Sequence, residues 1–126
     1  MSIGGSMTQT PEAKVKKQVR ALLDKYGIYH FMPPANGFGR AGIPDIVGCF
    51  DGQFIAVECK AGKNATTALQ DREIAAIIAA NGVALVANEH NLNQLEEAIL
   101  WMQERAKLKS WETWSGSQDP LMKRGR

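Results

Sequence analysis

The sequence predicts a mixed α/β protein: one small β-sheet flanked by helices, in the order α-β-β-β-α-β-α. Three observations carry that prediction. Apolar residues recur at helical spacing near both ends of the folded region. Two strand-like runs, 45–50 and 54–60, meet at Asp51-Gly52, a strong hairpin signal because both residues tolerate positive φ. A continuous apolar run, Val83 to Ala87, follows a helical stretch and suits a strand covered by helices on both sides.

The elements follow in order. Thr10-Pro11-Glu12 opens the first helix: Thr can cap free N–H groups, and Pro is tolerated in the first turn. Val15, Val19, Leu22 and Leu23 form its apolar stripe, and Gly27 ends it. Residues 28–32 read as a strand stopped by Pro33-Pro34, and a glycine-rich loop, 36–42, leads into the hairpin. After the loop 61–64, Thr66 or Thr67 caps a helix over about 68–80, stopped by Asn81-Gly82. A last helix runs from about Leu92 to Lys107 with Leu92, Leu95, Ile99 and Met102 on one stripe. The strand-helix-strand unit is expected to cross over right-handed.

The chain of 126 residues suits one domain: a flexible leader at 1–9, a folded domain at 10–109 and a tail at 110–126 that docks Trp111 and Trp114. A hydrophobic fraction of 44% and a charged fraction of 22% place it with soluble globular proteins rather than disordered chains. No signal peptide and no membrane-length apolar run is present, which points to the cytoplasm. Cys49 and Cys59 sit inside apolar strand runs and are expected to be buried free thiols. The net charge of +2 is too small to define a partner. Locally, the cluster containing Lys14 and Lys17 reads either as a solvated helix face or as a surface that neutralises phosphates.

The hairpin carries the chemistry. Folding it brings Asp45 near Glu58 and Lys60, and strand alternation puts Glu58 and Lys60 on one face. Two carboxylates and an ammonium at one end of a hairpin are costly in a pure core, and one carboxyl pKa should rise. They are what phosphodiester hydrolysis needs. Mg²⁺ or Mn²⁺ would take Asp45, Glu58 and the backbone carbonyl of Cys59 as ligands, and Lys60 would orient the attacking water, assist its deprotonation or stabilise the developing charge. Arg40, in the loop just before Asp45, could grip phosphate, although the loop also reads as a plain connector. His30 and His90 stand in no ligand-spaced pair; His30 neighbours the hairpin and His90 belongs to the surface. Trp101, like the two tail tryptophans, could stack on bases, but core packing or a subunit contact is the simpler role.

Pro44-Asp45 with Glu58-Cys59-Lys60 resembles the PD-(D/E)xK nuclease superfamily. The Gly-Ile-Pro-Asp stretch, the glycine-rich loop before it and Leu69-Gln70 after it resemble, more narrowly, the VRR-NUC (virus-type replication-repair nuclease) domain over about 10–88. The resemblance implies a restriction-endonuclease-like core and a Glu on the first helix that helps form the metal site, the position of Glu12. The other reading of Glu12 is complementation of the helix N-terminus. It also implies a role for Gln70 in holding the water or a phosphate oxygen, set against simple capping or surface exposure, and Lys63 is a candidate phosphate contact.

The implied activity is a metal-dependent, structure-selective endodeoxyribonuclease acting on branched DNA such as Holliday junctions, of the stand-alone phage or prophage kind linked to DNA repair. A homodimer, built on the last helix and the tail, answers the two-fold symmetry of a four-way junction. The alternatives are a catalytically inactive DNA-binding or scaffold module of the same fold, and a sequence-specific restriction-type enzyme.

Overall fold

The computed structural model describes residues 9–34 and 39–108. The order is α1 (Pro11–Lys25), β1 (Tyr29–Phe31), β2 (Ile46–Phe50), β3 (Gln53–Cys59), α2 (Ala68–Ala79), β4 (Val83–Ala87) and α3 (Leu92–Leu108). The strands form one mixed sheet in the order β1-β2-β3-β4; β1 and β3 run antiparallel to β2, and β4 runs parallel to β3. The predicted α/β architecture and element order are therefore those of the molecule. The tail with Trp111 and Trp114, most of the 1–9 leader and part of the glycine-rich loop lie outside the described residues.

Local chemistry sets the boundaries. The Thr10 side chain accepts a hydrogen bond from the Ala13 N–H at 3.0 Å, and Pro11 opens α1 where a missing N–H costs nothing. Asp51 and Gly52 adopt φ of 52° and 84° between the paired residues Phe50 and Gln53, the double positive φ of a two-residue hairpin. Thr67, rather than Thr66, caps α2, in a reciprocal capping box with Gln70. Asn81, at φ 68°, ends α2.

β3 is the centre of the sheet, and its residues from Ile55 to Cys59 are all buried, on both faces. On one face, Ile55, Val57 and Cys59 join Ile46 from β2, Val15, Val19 and Leu23 from α1, and Leu95, Ile99 and Met102 from α3 in a single core. On the other face, α2 lies over β3 and β4, where Gln70 reaches Glu58.

That second face departs from expectation. No residue of α2 is fully buried, and of β4 only Ala87 is, so the predicted two-sided cover of β4 is partial. Cys49 is exposed rather than buried: the β2–β3 and β1–β2 registers set it on the same face as Tyr29, Phe31 and Phe54, beyond the reach of α2. Cys59 is buried as expected, and both thiols are free.

Candidate active site

Asp45 immediately precedes β2, and Glu58 and Lys60 stand at the end of β3, so the antiparallel register Ile46↔Val57 sets them side by side. The Asp45 carboxylate is fixed by the backbone: its Oδ2 accepts the Cys59 N–H at 2.8 Å. Within an extended strand a residue's N–H and C=O project to the same side. The Cys59 carbonyl, expected as a metal ligand, thus projects to the side on which Asp45 lies.

Upstream, Gly42 makes the loop fit. It adopts φ 87°, and a Cβ there would lie 2.5 Å from the Leu69 carbonyl oxygen at the start of α2. Only glycine allows this approach, which seats the segment leading to Asp45 against the helix that carries Gln70.

Glu58 is the most unusual group. It is 2% exposed, and its Oε2 receives the Gln70 side-chain N–H at 2.9 Å and lies 3.6 Å from Lys60 Nζ. Among the described residues, its Oε1 is buried without a hydrogen-bond partner. A buried acceptor of this kind is costly unless something completes it. Burial first, and the neighbouring Asp45 carboxylate second, push the Glu58 carboxyl up to about 7, against the opposing pull of the Lys60 ammonium. A raised carboxyl was expected from two acids at one site; it is raised, with burial rather than the second acid as the larger cause.

Gln70 is held at both ends. Its Oε1 accepts the Thr67 N–H at 2.9 Å, so its amide N–H₂ is turned toward Glu58. The two readings of Gln70, capping and service at the site, are thus joined in one side chain, and its partner at the site is the Glu58 carboxylate. Behind Lys60, the Glu89 carboxylate accepts the Gly62 N–H, 3.0 Å from each oxygen, and ties down the loop that follows. That hydrogen bond, after the one from its own backbone N–H, holds the Glu89 carboxyl below the usual range.

α1 contributes a residue that the sequence left among its general basic cluster. Lys16 Nζ lies 3.7 Å from Asp45 Oδ1 and 3.9 Å from Glu12 Oε2, bridging the two acids. The available signal was the i,i+4 spacing of Glu12 and Lys16, which sets both on one face of the helix. Lys14 and Lys17, read from the sequence either as a solvated helix face or as phosphate contacts, are exposed on α1. The Cys59 thiol registers the convergence. Burial pushes it up to about 12, with smaller contributions from Asp45, Glu58 and Glu12 in the same direction and from Lys16 against them.

Lys16 and Asp45 also line a cleft of about 770 Å³ that continues past Pro34 to Arg40. Arg40 is not idle there: its guanidinium donates to both carboxylate oxygens of Glu73 on α2, at 2.7 and 3.1 Å, and holds the Glu73 carboxyl below its ordinary range. Lys63 is exposed in the loop after Lys60. His30 is structural, with its ring nearly buried, Nδ1 2.8 Å from the Ile28 carbonyl oxygen and Nε2 3.7 Å from Asp24. His90 is exposed. On α3, Trp101 is half-exposed with the Arg105 guanidinium over its ring.

The donor set suits a hard cation. Asp45, Glu58 and the Cys59 carbonyl supply oxygen only, and Glu58 Oε1 is a buried acceptor awaiting a partner. Glu12 is a less immediate member. Among the described residues no three Asp, Glu, His or Cys side chains are grouped closely enough to hold an ion together, and the ammonium of Lys16 stands between Glu12 and Asp45. No family model, no curated protein and no solved structure matches this chain.

Proposed function

We propose that this protein is a Mg²⁺- or Mn²⁺-dependent endonuclease of the VRR-NUC type within the PD-(D/E)xK superfamily, cutting phosphodiester bonds in branched DNA. The observation that carries the reading is the buried Glu58 carboxylate, fixed on one oxygen by Gln70 and Lys60 and unpartnered on the other, beside Asp45. Polar groups this costly are rarely kept in a core without a task.

Asp45, Glu58 and the Cys59 carbonyl would hold the ion. When bound, a divalent ion polarises the phosphate and lowers the pKa of a coordinated water. The chain's residues do the rest. The Cys59 N–H fixes the orientation of Asp45, and the capping box of α2 fixes Gln70, which turns Glu58. Lys60, largely buried beside Glu58, holds a positive charge where the attacking water and the developing phosphorane charge would meet. The cleft from Asp45 to Arg40 would take the DNA backbone, with Lys63, Lys14 and Lys17 as outer phosphate contacts. A homodimer would supply the paired cuts a four-way junction requires. The half-exposed Leu100 and Trp101 on the outer side of α3 support that helix as the contact.

The test is cleavage of four-way junctions, flaps and linear duplex with Mg²⁺, Mn²⁺ or chelator. Junction cleavage that is lost in chelator and in Asp45→Ala, Glu58→Ala and Lys60→Ala, with DNA binding retained, is the expected result. Cleavage retained by Glu58→Ala rejects the site, and no cleavage with either ion rejects the activity.

A further inference from the structure

We infer that Lys16 is the internal cation of the metal-free site, and that a bound divalent ion displaces it onto the DNA backbone. The inference rests on the nuclease reading and goes beyond it, because it assigns one lysine two successive partners. Lys16 Nζ forms ion pairs with Asp45 Oδ1 and Glu12 Oε2, at 3.7 and 3.9 Å. Asp45 Oδ1 is the oxygen that the Cys59 N–H leaves free, and so the one available to an ion. An ammonium on that oxygen does for the metal-free site what a cation does for the loaded one, offsetting the repulsion among crowded carboxylates.

The two cations cannot share the position. Like charges repel steeply at these separations, and an ion bound by two carboxylates needs their oxygens within roughly 4 Å of each other, twice a Mg²⁺–oxygen bond. Lys16 can leave readily. Its ammonium ends a flexible four-carbon stem, its side chain is 33% exposed, and it lines the cleft that runs toward Arg40. A phosphate in that cleft is the nearest alternative anion. Ion binding would then free a phosphate contact, and the two ligands would help each other through one side chain.

Three measurements test this. Calorimetric titration with Mg²⁺ alone, without DNA, should show at least fivefold tighter binding to Lys16→Met than to the original chain. Lys16→Arg should stay within twofold, because the charge is kept, and Arg20→Met, one turn further along α1, should not change the affinity. Binding to a four-way junction, with Ca²⁺ in place of Mg²⁺, should weaken at least fivefold in Lys16→Met, yet change less than twofold in chelator, where Lys16 is held by its acids. The salt dependence of junction binding should also fall by about one phosphate contact, but only with the ion present. Matching urea midpoints for the variants show that folding is not the cause; if Lys16→Met does not fold, Lys16→Gln takes its place in each measurement.

If the original chain binds Mg²⁺ and Lys16→Met binds it within twofold, the inference fails and the nuclease reading stands. Tighter ion binding with unchanged junction binding overturns the transfer to DNA. If neither the original chain nor Lys16→Met takes up Mg²⁺, both readings fall.

Discussion

The two faces of the sheet are built to different standards. Under α1 and α3, Val15, Val19, Leu23, Ile55, Val57, Leu95, Ile99 and Met102 interlock with almost no exposure. Under α2 there is no fully buried helix residue, Leu69 and Ile78 remain well exposed, and the sheet buries a carboxylate, Glu58, beside the small Ala56. The apolar face provides the stability that lets the polar face hold Glu58 where its burial is costly. A site needs fixed but costly groups, and the cost must be offset elsewhere in the same core.

The comparison breaks most sharply in the closed core. Ile99→Ala should destabilise the fold by about 2–5 kcal/mol in urea unfolding, since it leaves a cavity among rigid neighbours. A cost near that of a surface substitution would mean that this face is not the main source of stability.

Next in size is the charge of Glu58. The folded carboxyl, at about 7, holds its proton more tightly than the unfolded one, near 4.5. Below pH 4.5 both states are protonated and no penalty arises. As pH rises from there to about 7, the folded state loses stability, by about 3 kcal/mol once ionisation is complete. In the metal-free protein, Glu58→Gln should therefore be more stable than the original chain at pH 8, the two should converge near pH 4, and the variant should have no cleavage activity. Equal stability at pH 8 would show that Glu58 carries no such penalty.

Gly42→Ala tests whether the loop before Asp45 is seated as described. A methyl group 2.5 Å from the Leu69 carbonyl oxygen, at a φ of 87°, should cost about 1–3 kcal/mol and displace Asp45 from the Cys59 N–H. Cleavage should fall more than stability. Thr67→Ala should cost about 1 kcal/mol through the lost cap. The lost hydroxyl is the acceptor of the Gln70 backbone N–H, so the first turn that carries the Gln70 side chain loosens. As a result kcat should drop while KM for DNA holds, and Thr67→Ser should restore both stability and kcat. The smallest effect belongs to the open face itself: Ile78→Ala should stay within about 0.5 kcal/mol.

Much of the fold was legible because its signals are local. Thr10 before Pro11, Asp51-Gly52 and Asn81 each act through their own φ or their own hydrogen bonds, so neighbouring residues suffice to place them. The pairing of Asp45 with Glu58 and Lys60 was legible for the same reason: a two-residue turn fixes register, and register fixes which side chains meet. The exposure of Cys49 was not, because an apolar strand reads the same whether or not a helix reaches across it. Nor was the join of Gln70 to Glu58, or of Arg40 to Glu73, where the partners lie 12 and 33 residues apart.

By itself, then, the sequence determined the order of elements, the hairpin and the acid pair at its base, since short-range geometry leaves those little freedom. Tertiary structure alone decided that Lys16 rather than Lys14 or Lys17 meets Asp45, and that one oxygen of Glu58 is left without a partner. Both depend on the rotation of α1 about its axis and the seating of α2 on the sheet. Those are set by packing between distant residues, and no local spacing encodes them.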